Sequence, residues 1–173
     1  MRIAFTLAAI LVACSVPVAA QEGDARLDAL TDEYHQRGIE ESGRLVKPDG
    51  SSEAGSRLWS VTPEDNLRRA AEAQAMLARL DAIDAAGLSG KARVDAAVLR
   101  HLLQTEMGDA RYREWEMPFD SDNNFWSYLA GRSAFQTVEE YERYIARMRD
   151  IPRYFDEQMA NMRAGLLAGT MSP

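Results

Sequence analysis

Cysteine is almost missing from this chain. Cys14 stands alone among 173 residues, so no disulfide can form within the chain and the fold must rest on packing. Histidine is nearly as scarce. His35 is followed by Gly38 and Ile39 at helical spacing, and His101 by Gln104 and Thr105. Neither opens a helical zinc pair, and both read as ordinary helix residues. No apolar run reaches the length of about 20 residues that a membrane-spanning helix needs. The glycines form no phosphate-cradling loop ahead of a helix, and no Gly-x-Ser-x-Gly nucleophile turn occurs. Positive charge is also short: 20 basic against 27 acidic side chains give a formal charge of -7. Such a surface repels phosphate backbones and anionic headgroups, which excludes nucleic acid as a partner. Period-two alternation and internal repeats are absent too, so neither strands nor a solenoid are expected.

What is present is the apolar content of a globular chain, 46% hydrophobic residues, in enough length for one domain. At its start Met1-Arg2 is positive, residues 3–13 are apolar, and Val18-Ala19-Ala20 is a small-residue cleavage site before Gln21. This reads as a secretory signal peptide over residues 1–20, leaving a periplasmic or secreted mature chain of residues 21–173. Leu11-Val12-Ala13-Cys14 also resembles a lipoprotein lipobox. On that reading residues 1–13 are the leader, and Cys14 becomes the lipidated first residue of an envelope-anchored protein. Pro17 breaks the apolar helix just upstream of Ala20, which favours soluble release. Either leader exports the chain, and a lipid on Cys14 would be its one hold on a membrane.

The mature chain reads as all-α. A first amphipathic helix over residues 24–42 carries Leu27, Leu30, Tyr34 and Ile39, and residues 43–60 read as a surface loop anchored by Leu58-Trp59. Thr62-Pro63-Glu64-Asp65 then supplies a capping hydroxyl, a proline at the first helical position and acids that suit the macrodipole. The helix it opens carries Leu67, Ala70, Ala71, Met76, Leu77, Leu80 and Ile83 to about Ala85. Gly87 ends it, and Leu88-Ser89 starts another almost at once, which favours an antiparallel pair. On that next helix Val94, Ala97, Val98, Leu102 and Met107 form a stripe that Leu99 and Leu103 widen, as far as about Tyr112. The chain is organised around residues 137–169. Thr137 and Glu140 stand at capping-box spacing ahead of the stripe Val138, Tyr141, Ile145 and Met148. Beyond Pro152, Phe155, Met159, Met162 and Leu166 form a second stripe, and Gly169 is the stop. Two such helices cannot cover both stripes alone, so other helices must do so.

Between Arg113 and Gln136 the helical period fails. Pro118, Gly131 and a polar run interrupt Trp115, Phe119, Phe125, Trp126 and Tyr128, which reads as one long aromatic loop with a short helix near residues 126–130. Its rings line a substrate groove or plug the end of a helical bundle, and rings in such loops are more often core. Asp120-Ser-Asp122-Asn-Asn124 spaces three oxygen side chains as a calcium loop does, but Phe125 and Gly131 occupy its glycine and glutamate positions. Solvated turn residues are the better account. Catalytic and metal-ligating residues are therefore not assigned to any position.

Leu77-Ala-Arg-Leu-Asp-Ala-Ile-Asp84, Arg93-Val-Asp95, Val98-Leu-Arg100, Trp115-Glu-Met-Pro118, Thr137-Val-Glu-Glu-Tyr141 and Ile151-Pro-Arg-Tyr-Phe-Asp156 occur in an order that resembles one family. The ordered set, from about Leu58 to the end, is similar to the N-terminal region of the bacterial domain-of-unknown-function family 885. The resemblance implies an exported, far longer, mainly helical protein akin to zinc metallopeptidases, acting on peptides or related amides. Its zinc ligands would lie on a histidine and glutamate motif in a C-terminal half. No such motif occurs in these residues. The resemblance therefore implies an inactive helical scaffold, an incomplete portion of a larger domain, whose partner is that catalytic half. A self-standing periplasmic binding or adaptor module is the alternative.

Overall fold

A computed structural model describes residues 18–118 and 135–170. Among them the helices are α1 (Val18–Glu41), α2 (Pro63–Asp81), α3 (Gly90–Arg111), α4 (Val138–Arg149) and α5 (Ile151–Ala168). Single 3-10 turns lie at Ala85–Gly87 and Glu114–Glu116. The mostly helical fold expected from the sequence is present. The capping signals of α2 and α4 act as read: Thr62 Oγ1 accepts from the Asp65 N–H, and Thr137 with Glu140 closes a reciprocal capping box. Two other ends differ, because α1 already begins at Val18 and α2 stops at Asp81, leaving Gly87 to close a 3-10 turn. Gly169 ends α5 in the left-handed conformation, at φ 72°.

One correction concerns the loop after α1. It contains a two-stranded antiparallel hairpin, β1 (Arg44–Val46) and β2 (Ser52–Ala54), with Arg44 opposite Ala54 and Val46 opposite Ser52. Pro48-Asp49-Gly50 makes its turn: Asp49 accepts from the Ser51 N–H, and Gly50 takes the positive φ there. Strands of three residues are too short for alternation to register.

Helices α2 and α3 pack most extensively on each other, and α1 lies against both. The main core joins Leu27 and Leu30 of α1, Ala73, Met76 and Leu80 of α2, and Ala92, Leu99 and Leu103 of α3, with Ile83 and Leu88 between. Each large side chain sealed there contributes roughly 1.5–3 kcal/mol. A second cluster forms where Leu58 meets Tyr154 of α5, with Trp59, Val61, Ile151, Phe155 and Met162 around them. An extended strap, residues 57–61, supplies Leu58, Trp59 and Val61 to the second cluster and lies along α5.

Three expected apolar faces are turned. On α3 the widening pair Leu99 and Leu103 is the core, while Val94 and Val98 are 62% and 54% exposed. Ala92, Leu99 and Leu103 are buried in the core shared with α1 and α2, and of the expected stripe Met107 packs against it. On α4 the stripe faces outward, with Val138 70% and Tyr141 54% exposed. The opposite, polar face docks instead: Arg143 pairs with Glu53 at 2.6 Å, and Arg147 donates to the carbonyls of Gly43 and Arg57 at 3.1 and 2.9 Å. On α5 the buried face is Tyr154, Gln158, Asn161 and Gly165, each one residue before the expected stripe.

The cause on α5 is backbone hydrogen bonding. The strap's main-chain groups need partners once covered, and polar side chains of α5 supply them. Asp150 accepts from the Leu58 N–H at 2.8 Å, and Arg153 donates to the Leu58 carbonyl at 2.9 Å. Two turns on, Glu157 accepts from the Val61 N–H at 3.0 Å and Asn161 donates to the Val61 carbonyl at 2.7 Å.

Candidate functional site

A cavity of about 170 Å³ opens between α1, α2 and α3, lined by Arg37, Glu41, Asn66, Arg69, Glu106 and Asp109 among others. Helical spacing puts Tyr34, Arg37 and Glu41 on one face of α1, and Glu106 and Asp109 on one face of α3. Arg37 donates to Glu106 at 2.6 Å and to the Arg69 carbonyl at 3.3 Å, and its guanidinium lies 5.4 Å from the Tyr34 ring centre. Arg69 donates to Glu41 at 3.0 Å, to the Ser60 carbonyl at 3.2 Å and to Asn66 at 2.9 Å. Burial, and then its hydrogen bond to Glu106, pushes the Tyr34 phenol up to about 12. Burial also raises the Asp109 carboxyl, with the Glu106 charge adding to it. The Arg37 Nε is sealed from solvent without an acceptor.

This cavity holds charge, and its wall carries no serine, threonine, cysteine, lysine or histidine. Among the described residues no group of three or more histidine, cysteine or carboxylate side chains could hold a metal ion. His35 and His101 are exposed on α1 and α3. The described residues therefore do not fit a zinc centre.

A second polar group lies at the 3-10 turn after α3. Arg113 takes a left-handed backbone, at φ 55°, and turns the chain so that Glu116 is completely buried. The Glu116 carboxylate pairs with the Arg113 guanidinium and accepts from the Thr170 hydroxyl at 3.3 Å, which ties the turn to the end of α5. Beside it Trp115 is half-buried, and its indole N–H is sealed without a partner. Trp115 thus enters packing at the base of the aromatic segment. Phe119, Phe125, Trp126 and Tyr128 lie outside the described residues, as do Cys14 and the Asp120–Asn124 run.

Residues 48–173 match the model of a family described as a bacterial protein of unknown function, DUF885. The chain belongs to the DUF885 family. The match takes in the Trp115–Pro118 turn, α2 to α5 and the strap, and it begins earlier than Leu58, at the hairpin turn. No curated protein and no solved structure matches this DUF885 chain.

Sequence reasoning did not single out the cavity residues or Glu116. Arg37 three residues after Tyr34, and Glu106 three after Leu103, are charges on arcs that point inward, a signal readable only once the core arc is known. Glu116 had a weaker mark, a carboxylate set between Trp115 and Met117.

Proposed function

We propose that this chain is the helical scaffold region of an exported zinc-dependent hydrolase of peptides or related amides. On this reading the metal ligands lie in polypeptide outside these residues. The outward apolar faces of α3 and α4 carry the reading. Val94, Val98 and Leu102 stand at i, i+4 and i+8 on α3, and Val138, Tyr141 and Met148 share a face of α4, all of them exposed. Helix α3 is apolar on both its inner and outer arcs, α4 leaves its one apolar face uncovered, and such surfaces belong inside a larger packing. The scaffold would shape the walls of a substrate channel, with the aromatic segment after Trp115 contributing to it. Nucleic acid has no place in this reading, and a membrane enters only through lipid on Cys14.

The alternative, a self-standing periplasmic binding module, draws on the charged cavity between the first three helices. Reading the gene beyond codon 173 separates the two. An open frame that encodes a histidine and glutamate zinc motif supports the scaffold reading, and a stop codon directly after Pro173 overturns it. Metal analysis of the purified mature chain is the second test, because one zinc per chain would place ligands within these residues.

A further inference from the structure

The outer face of α4 is more than apolar, because charge is ordered along one edge of it. Val138, Tyr141, Ile145 and Met148 are spaced by three, four and three residues, which is the seam of a heptad repeat, and Pro152 continues it. Val138, Tyr141 and Met148 are exposed, and Ile145 is half-buried. One edge of this seam carries Glu142 and Arg149, two helical turns apart and in line. Both side chains are exposed, and among the described residues neither has an ion pair or a hydrogen bond. By contrast Arg143 holds Glu53, Arg147 holds the carbonyls of Gly43 and Arg57, and Glu140 closes the capping box. The other edge of the seam, Tyr144 and Ile151, carries no charge. An acid towards one end of an edge and a base towards the other make a self-complementary pattern.

We propose that α4 pairs through this face with α4 of a second copy of the chain, antiparallel and two-fold symmetric. A two-fold axis across antiparallel helices sets each edge of the seam beside the same edge of the partner. Glu142 then faces Arg149 of the second copy, and by symmetry Arg149 faces its Glu142. The axis passes close to Ile145, and Tyr141 meets Met148 across it. A parallel pair would set the charged edge against the uncharged one and leave both charges without partners. Two facing helices of 12 residues make an interface below about 1,200 Å², the range of transient association. The inference leaves the outer face of α3 to the scaffold reading, and either can fail alone.

The test is sedimentation equilibrium of the full mature chain in about 0.1 M salt, at concentrations up to about 1 mM. A monomer–dimer equilibrium is expected. Glu142→Arg or Arg149→Glu alone turns both cross-pairs repulsive and should weaken the dimer about tenfold, with an unchanged circular dichroism spectrum. The sign is diagnostic, because Glu142→Arg makes the net charge of -7 less negative and would strengthen an association governed by overall repulsion. Mixing the two single variants, or combining both substitutions in one chain, recreates opposite charges across the pair and should restore the affinity. Should one single variant fail to fold, the other decides, because each breaks the same two pairs. Monomer at every concentration, undiminished association in a folded single variant, or no recovery in the double variant overturns the proposal. So does a dimer that Val98→Lys abolishes and the charge variants leave intact, since that places the contact on α3.

Discussion

Asp150 offers the sharpest test of how the strap is held. Its carboxylate accepts from the Leu58 N–H at 2.8 Å and from Arg153 at 2.8 and 2.6 Å, and only 13% of its side chain is exposed. Asp150→Ala leaves the Leu58 N–H without its acceptor, which costs about 1–3 kcal/mol. Arg153 loses two charge-assisted bonds but keeps Glu157 at 2.6 Å and the Leu58 carbonyl, so its share is smaller, about 1 kcal/mol. The sum is about 2–4 kcal/mol. At about 2–4 °C per kcal/mol for a chain of this size, Tm should fall by about 4–16 °C in a melt followed by circular dichroism. Acid supplies a second readout. The bonds from Arg153, and then from the Leu58 N–H, hold the Asp150 carboxyl below its ordinary value. A depressed folded value means that the stabilisation is complete above the unfolded value of about 3.9 and is lost as pH falls through the folded one. The gap between wild type and Asp150→Ala should therefore be full at pH 7 and close below about pH 4. A Tm loss under 2 °C, or a gap that stays constant into acid, would refute the account.

Gly43 has φ +67°, and a Cβ there would stand 2.6 Å from the Arg57 carbonyl oxygen, so Gly43→Ala should destabilise by at least 1–2 kcal/mol of left-handed strain, seen as a lower Tm. Leu103→Ala empties a fully buried position between three helices and should cost about 2–5 kcal/mol in a denaturant titration. Glu116→Leu should leave Tm unchanged or higher, because Arg113 is half-exposed and can turn to water while Thr170 keeps its bond to the Gly165 carbonyl. A large loss there would show that the carboxylate organises more than its two partners. Val98→Lys with Val138→Lys should keep the fold and lower self-association in size-exclusion chromatography with light scattering, since both side chains stand on uncovered faces. An unchanged association state would remove the main support for the scaffold reading.

Helix boundaries were the most legible part of the fold, because capping chemistry is local. Thr62-Pro63, Ser89, the Thr137–Glu140 box and Gly169 each set an end that the structure places within a residue or two. Which face of each helix turns inward was much less legible. Periodicity shows that α3 carries an apolar stripe but not which arc its neighbours cover, and here both arcs are apolar. On α5 the inward residues include Gln158 and Asn161, which no hydrophobic pattern would choose. Asn161 faces inward because it donates to the main chain of the extended segment packed there, and Gln158 because it donates to the buried Tyr154 hydroxyl. The cavity was invisible for a related reason, since its charges come from three helices and meet only after those helices pack.

The strap's hold on α5 has a consequence for how the two may vary. Asp150, Arg153, Glu157 and Asn161 grip amide and carbonyl groups that every amino acid except proline possesses in full. The grip itself is therefore indifferent to the side chains of the strap, which answer to other demands: Leu58, Trp59 and Val61 to packing, and the Ser60 hydroxyl to Asp65. Proline at position 58 or 61 would remove a gripped N–H and should not be tolerated. The gripping residues enjoy no such freedom, because each reaches its target with one particular length and polarity. Random substitution should therefore be limited along the strap by packing, and along α5 by the length and polarity of the groups that grip it.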